Sequence, residues 1–313
     1  MVVSMLSLTV PPQPHEPWAS YCSRIAALNG IDSAVKFASH FGFDFGRLAE
    51  GSYADIKAFS NLVGITQDQL ASGLIMQTKG LVKIPGGAFS REFLETDRCR
   101  FCLACVANDM GPKQRLHRAF GRVEWMLKFI HTCPEHGIRL QTVSGHRSKA
   151  ADFSAQLRTA FGDLEKLVGT QSPDTPTGLQ DYVIKRLRRG PPQGNWLDKF
   201  PLQAAAHFTQ LLGALSRDGR EPNLEDFDEH DWIEVACIGY EITSRGAQAV
   251  EFALDQFFDF EPLRRKIALS TLLGRLSAEL LERAEQPGYT ELLKFLENAA
   301  RWKHPTLVSE LPY

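Results

Sequence analysis

With 313 residues, 43% of them hydrophobic and 23% charged, the chain can bury more than one core and has the balance of a folded globular protein. A net charge of −2 excludes a uniformly basic nucleic-acid binder, and no apolar run approaches the roughly 20 residues of a membrane helix. The apolar opening from Met1 to Val10 has neither a basic start nor a small-residue cleavage site and ends at Pro11-Pro12, so a cytoplasmic location without membrane contact is expected.

The first predicted helix follows this proline-rich lead-in. Trp18, Tyr21, Cys22, Ile25, Ala26 and Leu28 share one face, Glu16 is expected in the first turn, and Asn29-Gly30 stops the helix. A second helix is expected over about Ser33 to Phe41, ending at Gly42. Tyr53, Ile56, Phe59 and Leu62 mark a third. The tight turn Val63-Gly64-Ile65 and a capping Thr66 then introduce another helix carrying Leu70, Leu74 and Ile75. That is a helix-turn-helix outline, yet its second helix offers Gln67, Asp68 and Gln69 and no cation before Lys79. DNA reading, protein docking and plain core formation all remain open for it. Leu81 to Phe89 suggests a short strand and turn.

The densest chemistry lies between Cys99 and His136. Four of the six cysteines fall there, and two pairs with two residues between their members, Cys102/Cys105 and Cys133/His136, are separated by 27 residues. This is the spacing of a zinc ribbon, in which each turn aims two thiolate or imidazole ligands at one point. Cys99 has the same spacing to Cys102, so it stands as an alternative ligand. Four protein ligands fill a tetrahedron and leave no open position, which makes one structural Zn2+ the expected cofactor and a catalytic metal not. Within the ribbon loop Lys113, Arg115, His117, Arg118 and Arg122 recur with Phe120 and Trp125 among them. Lys113, Arg115, Arg118 and Arg122 are candidate phosphate contacts; the competing reading is a solvated helix face over two core aromatics.

From Arg98 to Arg147 nine Lys/Arg oppose three Asp/Glu, a net of +6, whereas from Arg217 to Glu261 three cations face thirteen acids, a net of −10. The two regions are expected to attract each other, either within one copy or between two copies as a head-to-tail homodimer. Beyond His146 the pattern is helical: Ala150 to Leu167, Leu179 to Arg189, Leu202 to Leu215, His230 to Thr243, Ala247 to Phe258, Leu263 to Ala284 and Thr290 to Trp302. The cations from Lys185 to Arg189 suit the last turn of their helix, and the acidic run Glu225 to Asp231 suits a solvated face. No Walker loop, G-x-S-x-G elbow, H-E-x-x-H or dinucleotide fingerprint occurs, so no enzyme is expected. The fold class expected is mainly α, divided as a helical region 1–98 with the helix-turn-helix outline, a zinc ribbon 99–146 with short strands, and a helical domain 147–313.

Three motifs together resemble the TniQ family. They are the stretch His15-Glu16-Pro17-Trp18 through Arg24-Ile25-Ala26 to Asn29-Gly30, the run Phe101-Cys102-Leu103-Ala104-Cys105, and Trp125 followed by Cys133-Pro134-Glu135-His136-Gly137. Order and approximate spacing hold over residues 11–140. The resemblance implies a non-catalytic target-selection or adaptor subunit of bacterial DNA transposition. Such a subunit binds DNA directly or through a complex, including a guide-RNA effector complex, and recruits the transposition ATPase and transposase. Many relatives carry a second Cys-x-x-Cys where Gln141 to His146 stands here, so one metal site is expected. Longer relatives carry a further DNA-binding region beyond the position of Tyr313, which favours the adaptor role. The alternative is a zinc-stabilised DNA-binding transcriptional regulator unconnected with transposition.

Overall fold

Aromatic and aliphatic side chains three and four residues apart draw residues 18–63 into a group of short helices. The structure, a computed structural model, describes residues 6–65, 76–78, 81–84, 86–144, 150–160, 173–190, 194–258 and 267–311. It divides into two units, Met1–Pro176 and Thr177–Tyr313.

In the first unit, helices α1 (Trp18–Leu28), α2 (Ala34–His40), α3 (Phe45–Ala49) and α4 (Tyr53–Val63) bury one another's apolar faces. Their shared core holds Trp18, Tyr21, Ile25, Phe37, Leu48 and Phe59. Tyr21 meets Phe59 edge-on at 5.4 Å, and Trp18 does so at 6.1 Å, the geometry that aromatic quadrupoles favour. α3 is too short to show a helical period; Asp44 begins it by accepting a hydrogen bond from the Arg47 amide. Strands β1 (Met76–Thr78), β2 (Leu81–Ile84) and β3 (Gly87–Ser90) follow as an antiparallel sheet in that order. The proposed second helix of the helix-turn-helix, from Thr66 to Ile75, lies outside the described residues.

Two antiparallel strands close the ribbon. β4 (Arg98–Phe101) pairs with β5 (Gln141–Ser144), Arg98 opposite Ser144 and Phe101 opposite Gln141. Helix α5 (Leu103–Met110) starts at Cys102, and α6 (Phe153–Ala160) packs against α1. Buried Asp152, just before α6, ties it to α1 and α2 by accepting hydrogen bonds from Ser23 Oγ and from the Ala34 amide at 2.7 Å. Of the helix expected from Ala150 to Leu167, the described part is α6. The loop from Lys113 to Trp125 is not a helix: short 3-10 turns at Leu116–Arg118 and Val123–Met126 replace the solvated helical face considered for it.

The second unit is helical, with α7 (Gly178–Arg189), α8 (Leu202–Asp218), α9 (Glu229–Thr243), α10 (Ala247–Phe258), α11 (Leu269–Leu273), α12 (Arg275–Leu281) and α13 (Tyr289–Arg301). Two-residue strands β6 (Ile267–Ala268) and β7 (Leu307–Val308) pair in parallel. The single helix expected from Leu263 to Ala284 is broken. Gly274 sits between α11 and α12 at φ +49, and a Cβ there would lie 2.2 Å from the Arg220 carbonyl oxygen. α8 and α9 touch backbone to backbone, because a Cβ on Gly213 would stand 1.9 Å from Val235 O and one on Gly239 1.8 Å from Thr209 O. Asp228 begins α9 with a reciprocal capping box to Asp231. Inside the unit, Tyr289 gathers a buried polar group: its hydroxyl lies 3.1 Å from Gln203 Nε2 and 3.2 Å from His207 Nδ1. Burial pushes the His207 imidazole down to about 3, so it is neutral at pH 7. No helix among the described residues is long and apolar enough to cross a membrane.

Candidate metal centre and the basic loop beside it

Two turns deliver the ligands. Cys102 precedes α5 and Cys105 lies in its first turn, while Cys133 and His136 sit on a turn closed by the Gly137 amide donating to Cys133 O at 2.9 Å. A further backbone pair, the Cys133 amide to Ile138 O at 2.8 Å, and the bond from Thr132 Oγ1 to Asp174 Oδ2 at 3.0 Å hold that turn. The ligand atoms of Cys102, Cys105, Cys133 and His136 all lie within 4.8 Å of one another.

The spacings fit one ion. His136 Nδ1 stands 3.3 Å from Cys105 Sγ and 3.6 Å from both Cys102 Sγ and Cys133 Sγ, and Cys105 and Cys133 sulfurs are 3.6 Å apart. Metal–sulfur bonds of about 2.3 Å and metal–nitrogen bonds of about 2.0 Å at tetrahedral angles give edges of about 3.5 to 3.8 Å. Hydrogen bonds with Cys105 and Cys133 hold the Cys102 thiol well below its ordinary value, and those with Cys102 and Cys133 push the Cys105 thiol up. The cluster already favours one thiolate, and a bound cation draws the remaining protons off. Asn108 Nδ2 lies 3.3 Å from His136 Nε2; its amide, rotated to present Oδ1, would orient the imidazole from behind. The group can therefore hold a metal ion. Cys99 is not in it. That thiol is buried on β4, and burial, with Asp152 adding, pushes it up to about 12.

The four basic candidates of the loop separate into two kinds. Lys113, Arg115 and Arg118 are exposed and make no ion pair among the described residues. Burial, with Arg115, Arg24 and Arg118 adding, pushes the His117 imidazole below its ordinary value, a sign of the positive field they create. Arg122 is placed differently. Its guanidinium pairs with Asp109 of α5 at 3.1 Å, and it lies 4.2 Å from the centre of the Phe120 ring and 4.6 Å from that of Trp125. It ties the loop to the helix that bears Cys105.

Residues 7–140 match the TniQ family model. This stretch belongs to the TniQ family. No curated protein and no solved structure matches the chain. Every ligand of the metal centre lies within the TniQ match, as do all four basic candidates and the three motifs on which the resemblance was read.

Sequence reasoning missed the buried ion pair of the TniQ stretch. Glu16 lies before the Pro17 cap of α1 and not in its first turn. Its carboxylate meets Arg24 at 2.7 Å with the two side chains 0% and 3% exposed. Residues 16, 20 and 24 stand four apart, the spacing of one helical stripe, and that polar stripe on an otherwise apolar helix was the available signal. Burial pushes the Glu16 carboxyl up to about 7 against the opposing pull of Arg24, and Asp109 adds to the rise. Because the folded value lies above the ordinary one of 4.5, this group's contribution to stability is complete below the ordinary value and is lost as pH rises through about 7. Urea midpoints of the wild type are therefore expected to fall between pH 5 and 8 relative to those of Glu16→Gln, which lacks the titration.

Proposed function

We propose that the chain is a non-catalytic target-selection or adaptor subunit of DNA transposition, built on one structural Zn2+. The observation that carries this reading is the convergence of Cys102, Cys105, Cys133 and His136 on one point inside the TniQ-matching stretch. Three thiolates and an imidazole suit zinc, and a closed set of four protein ligands supplies a folded platform with no site for a reacting group. Partners proposed on the same ground are DNA, met directly or through a guide-RNA effector complex, and the transposition ATPase and transposase. A cytoplasmic setting accords with reduced thiols. A head-to-tail homodimer, oriented by the opposed charges, is a further proposal, supported by the net charges of +6 and −10.

The test is metal analysis of purified protein followed by capture of a transposition ATPase on the immobilised, zinc-loaded chain. One zinc per chain and retention of the ATPase support the reading; retention of a promoter fragment without any ATPase would favour the transcriptional regulator.

Phosphate contact is assigned to Lys113, Arg115 and Arg118, with Arg122 bracing the loop. Replacing the first three by Ala is expected to lower the slope of log affinity against log salt for duplex DNA by up to about three units. A salt titration in which the slope stays put would remove the loop from the interface.

A further inference from the structure

The basic loop is held against α1 from the inside. Glu16 accepts hydrogen bonds from the Gln13 amide at 2.9 Å, from Ser20 Oγ at 3.0 Å and from Arg24 Nη1 at 2.7 Å. Arg24 carries the link outward, Nε donating to His117 O at 3.0 Å and Nη2 to Pro11 O at 3.4 Å. Ser20 Oγ in turn accepts from the Gly121 amide at 2.8 Å. Beside these bonds the Val123 amide donates to His15 O at 3.0 Å. One carboxylate thus stands behind two attachments of the loop, at His117 and Gly121, which bracket Arg118 and follow Lys113 and Arg115.

We propose that Glu16 is a positioning residue for the basic loop: acting through Arg24 and Ser20, it fixes where Lys113, Arg115 and Arg118 stand. An ion pair that only filled the core of α1 would find its partners on α1. Here the backbone groups engaged are Pro11 O and Gln13 N of the lead-in and His117 O and Gly121 N of the loop. Glu16→Gln replaces one of the two acceptor oxygens by an amide nitrogen that only donates, so the Ser20 hydroxyl on one side, or the Gln13 amide and Arg24 on the other, lose their acceptor. Where it loses that acceptor, Arg24 turns toward water and releases the His117 carbonyl. The Arg122–Asp109 pair and the metal ligands make none of these hydrogen bonds, so the loop loosens at His117 and Gly121 while the metal centre stays formed. The consequence for DNA rests on the phosphate-contact reading above; the positioning does not.

The experiment compares zinc-loaded, full-length wild type, Glu16→Gln and Ser20→Ala by amide hydrogen exchange and by salt titration of binding to a short random-sequence duplex. Exchange at the amides of Gly121 and Val123 is expected to quicken by roughly tenfold or more, with that of α4 unchanged and zinc still at one per chain. The salt slope of Glu16→Gln is expected to fall toward that of the Lys113, Arg115 and Arg118 triple variant. Unchanged exchange in the loop overturns the proposal, and so does acceleration spread evenly over α1 to α4, which would make Glu16 an ordinary core group. If the triple variant itself leaves the slope unchanged, phosphate contact by the loop fails, and the exchange data still decide the positioning role. Should Glu16→Gln not fold, Ser20→Ala, which keeps the ion pair and deletes the Ser20 bonds to Glu16 and from the Gly121 amide, decides it by the same exchange readout.

Discussion

Cys133→Ser is expected to cost the first unit its folded ribbon. On the proposal of one bound zinc, the serine hydroxyl is a poor ligand, and the three that remain would leave the ion open to water and to chelators. Structural zinc binding contributes about 10 to 16 kcal/mol in small domains, as much as the about 5 to 15 kcal/mol by which most domains are stable at all. The loss reaches beyond the turn itself, because α5 begins at Cys102 and carries Asp109, the partner of Arg122. Excess chelator on the wild type is expected to reproduce the variant. Zinc content measured beside near-ultraviolet circular dichroism checks it: a variant with no zinc and an unchanged aromatic spectrum would show that the cluster packs without an ion. Cys99→Ser serves as the control. It is expected to retain one zinc per chain, with a moderate stability loss from placing a hydroxyl where a buried thiol stood.

The second large effect is expected at the α8–α9 contact. In Gly213→Ala the new methyl would need space held by the Val235 carbonyl oxygen 1.9 Å away, and in Gly239→Ala that of Thr209 at 1.8 Å. Neither obstacle is a flexible side-chain end, so the two helices must separate along their length. Overpacking in a core commonly costs about 1 to 3 kcal/mol, and a backbone obstacle belongs at or above the top of that range. Separation would also part Thr209 Oγ1 from Thr243 Oγ1, now 3.3 Å apart. Urea unfolding measures the loss. The double variant is expected to cost less than twice either single one, since the first methyl already opens the gap the second needs. Additive costs would mean that the two glycines act at separate contacts.

What was legible in the chain follows from how local the cause is. The gathering of Cys102, Cys105, Cys133 and His136 was legible because two residues between partners fixes their geometry within each turn. Choosing between Cys99 and Cys105 needed the strand, since β4 pairing carries Cys99 away from the turn. Most helices of the second unit were legible from apolar period, and Ala247–Phe258 matches its expected limits. The break at Gly274 was not, because what it accommodates is the carbonyl of Arg220, far away in sequence. The same holds for Arg122, whose charge reads as a surface contact until Asp109 and two aromatic rings are placed around it. Glu16 was misread for a related reason: its first-turn role is a local inference, whereas the Pro17 cap and the buried Arg24 make it a tertiary group.

The pairing of β4 with β5 bears on how this protein should be cut. The family match stops at residue 140, one position before the strand that completes the ribbon's ladder begins at Gln141. A fragment trimmed to the match would strip β4 of its hydrogen-bonding neighbour, open the sulfur of Cys99 to solvent and oxidants, and lose the Asp174 tether of the second ligand turn. Expression boundaries drawn after Pro176 keep all three.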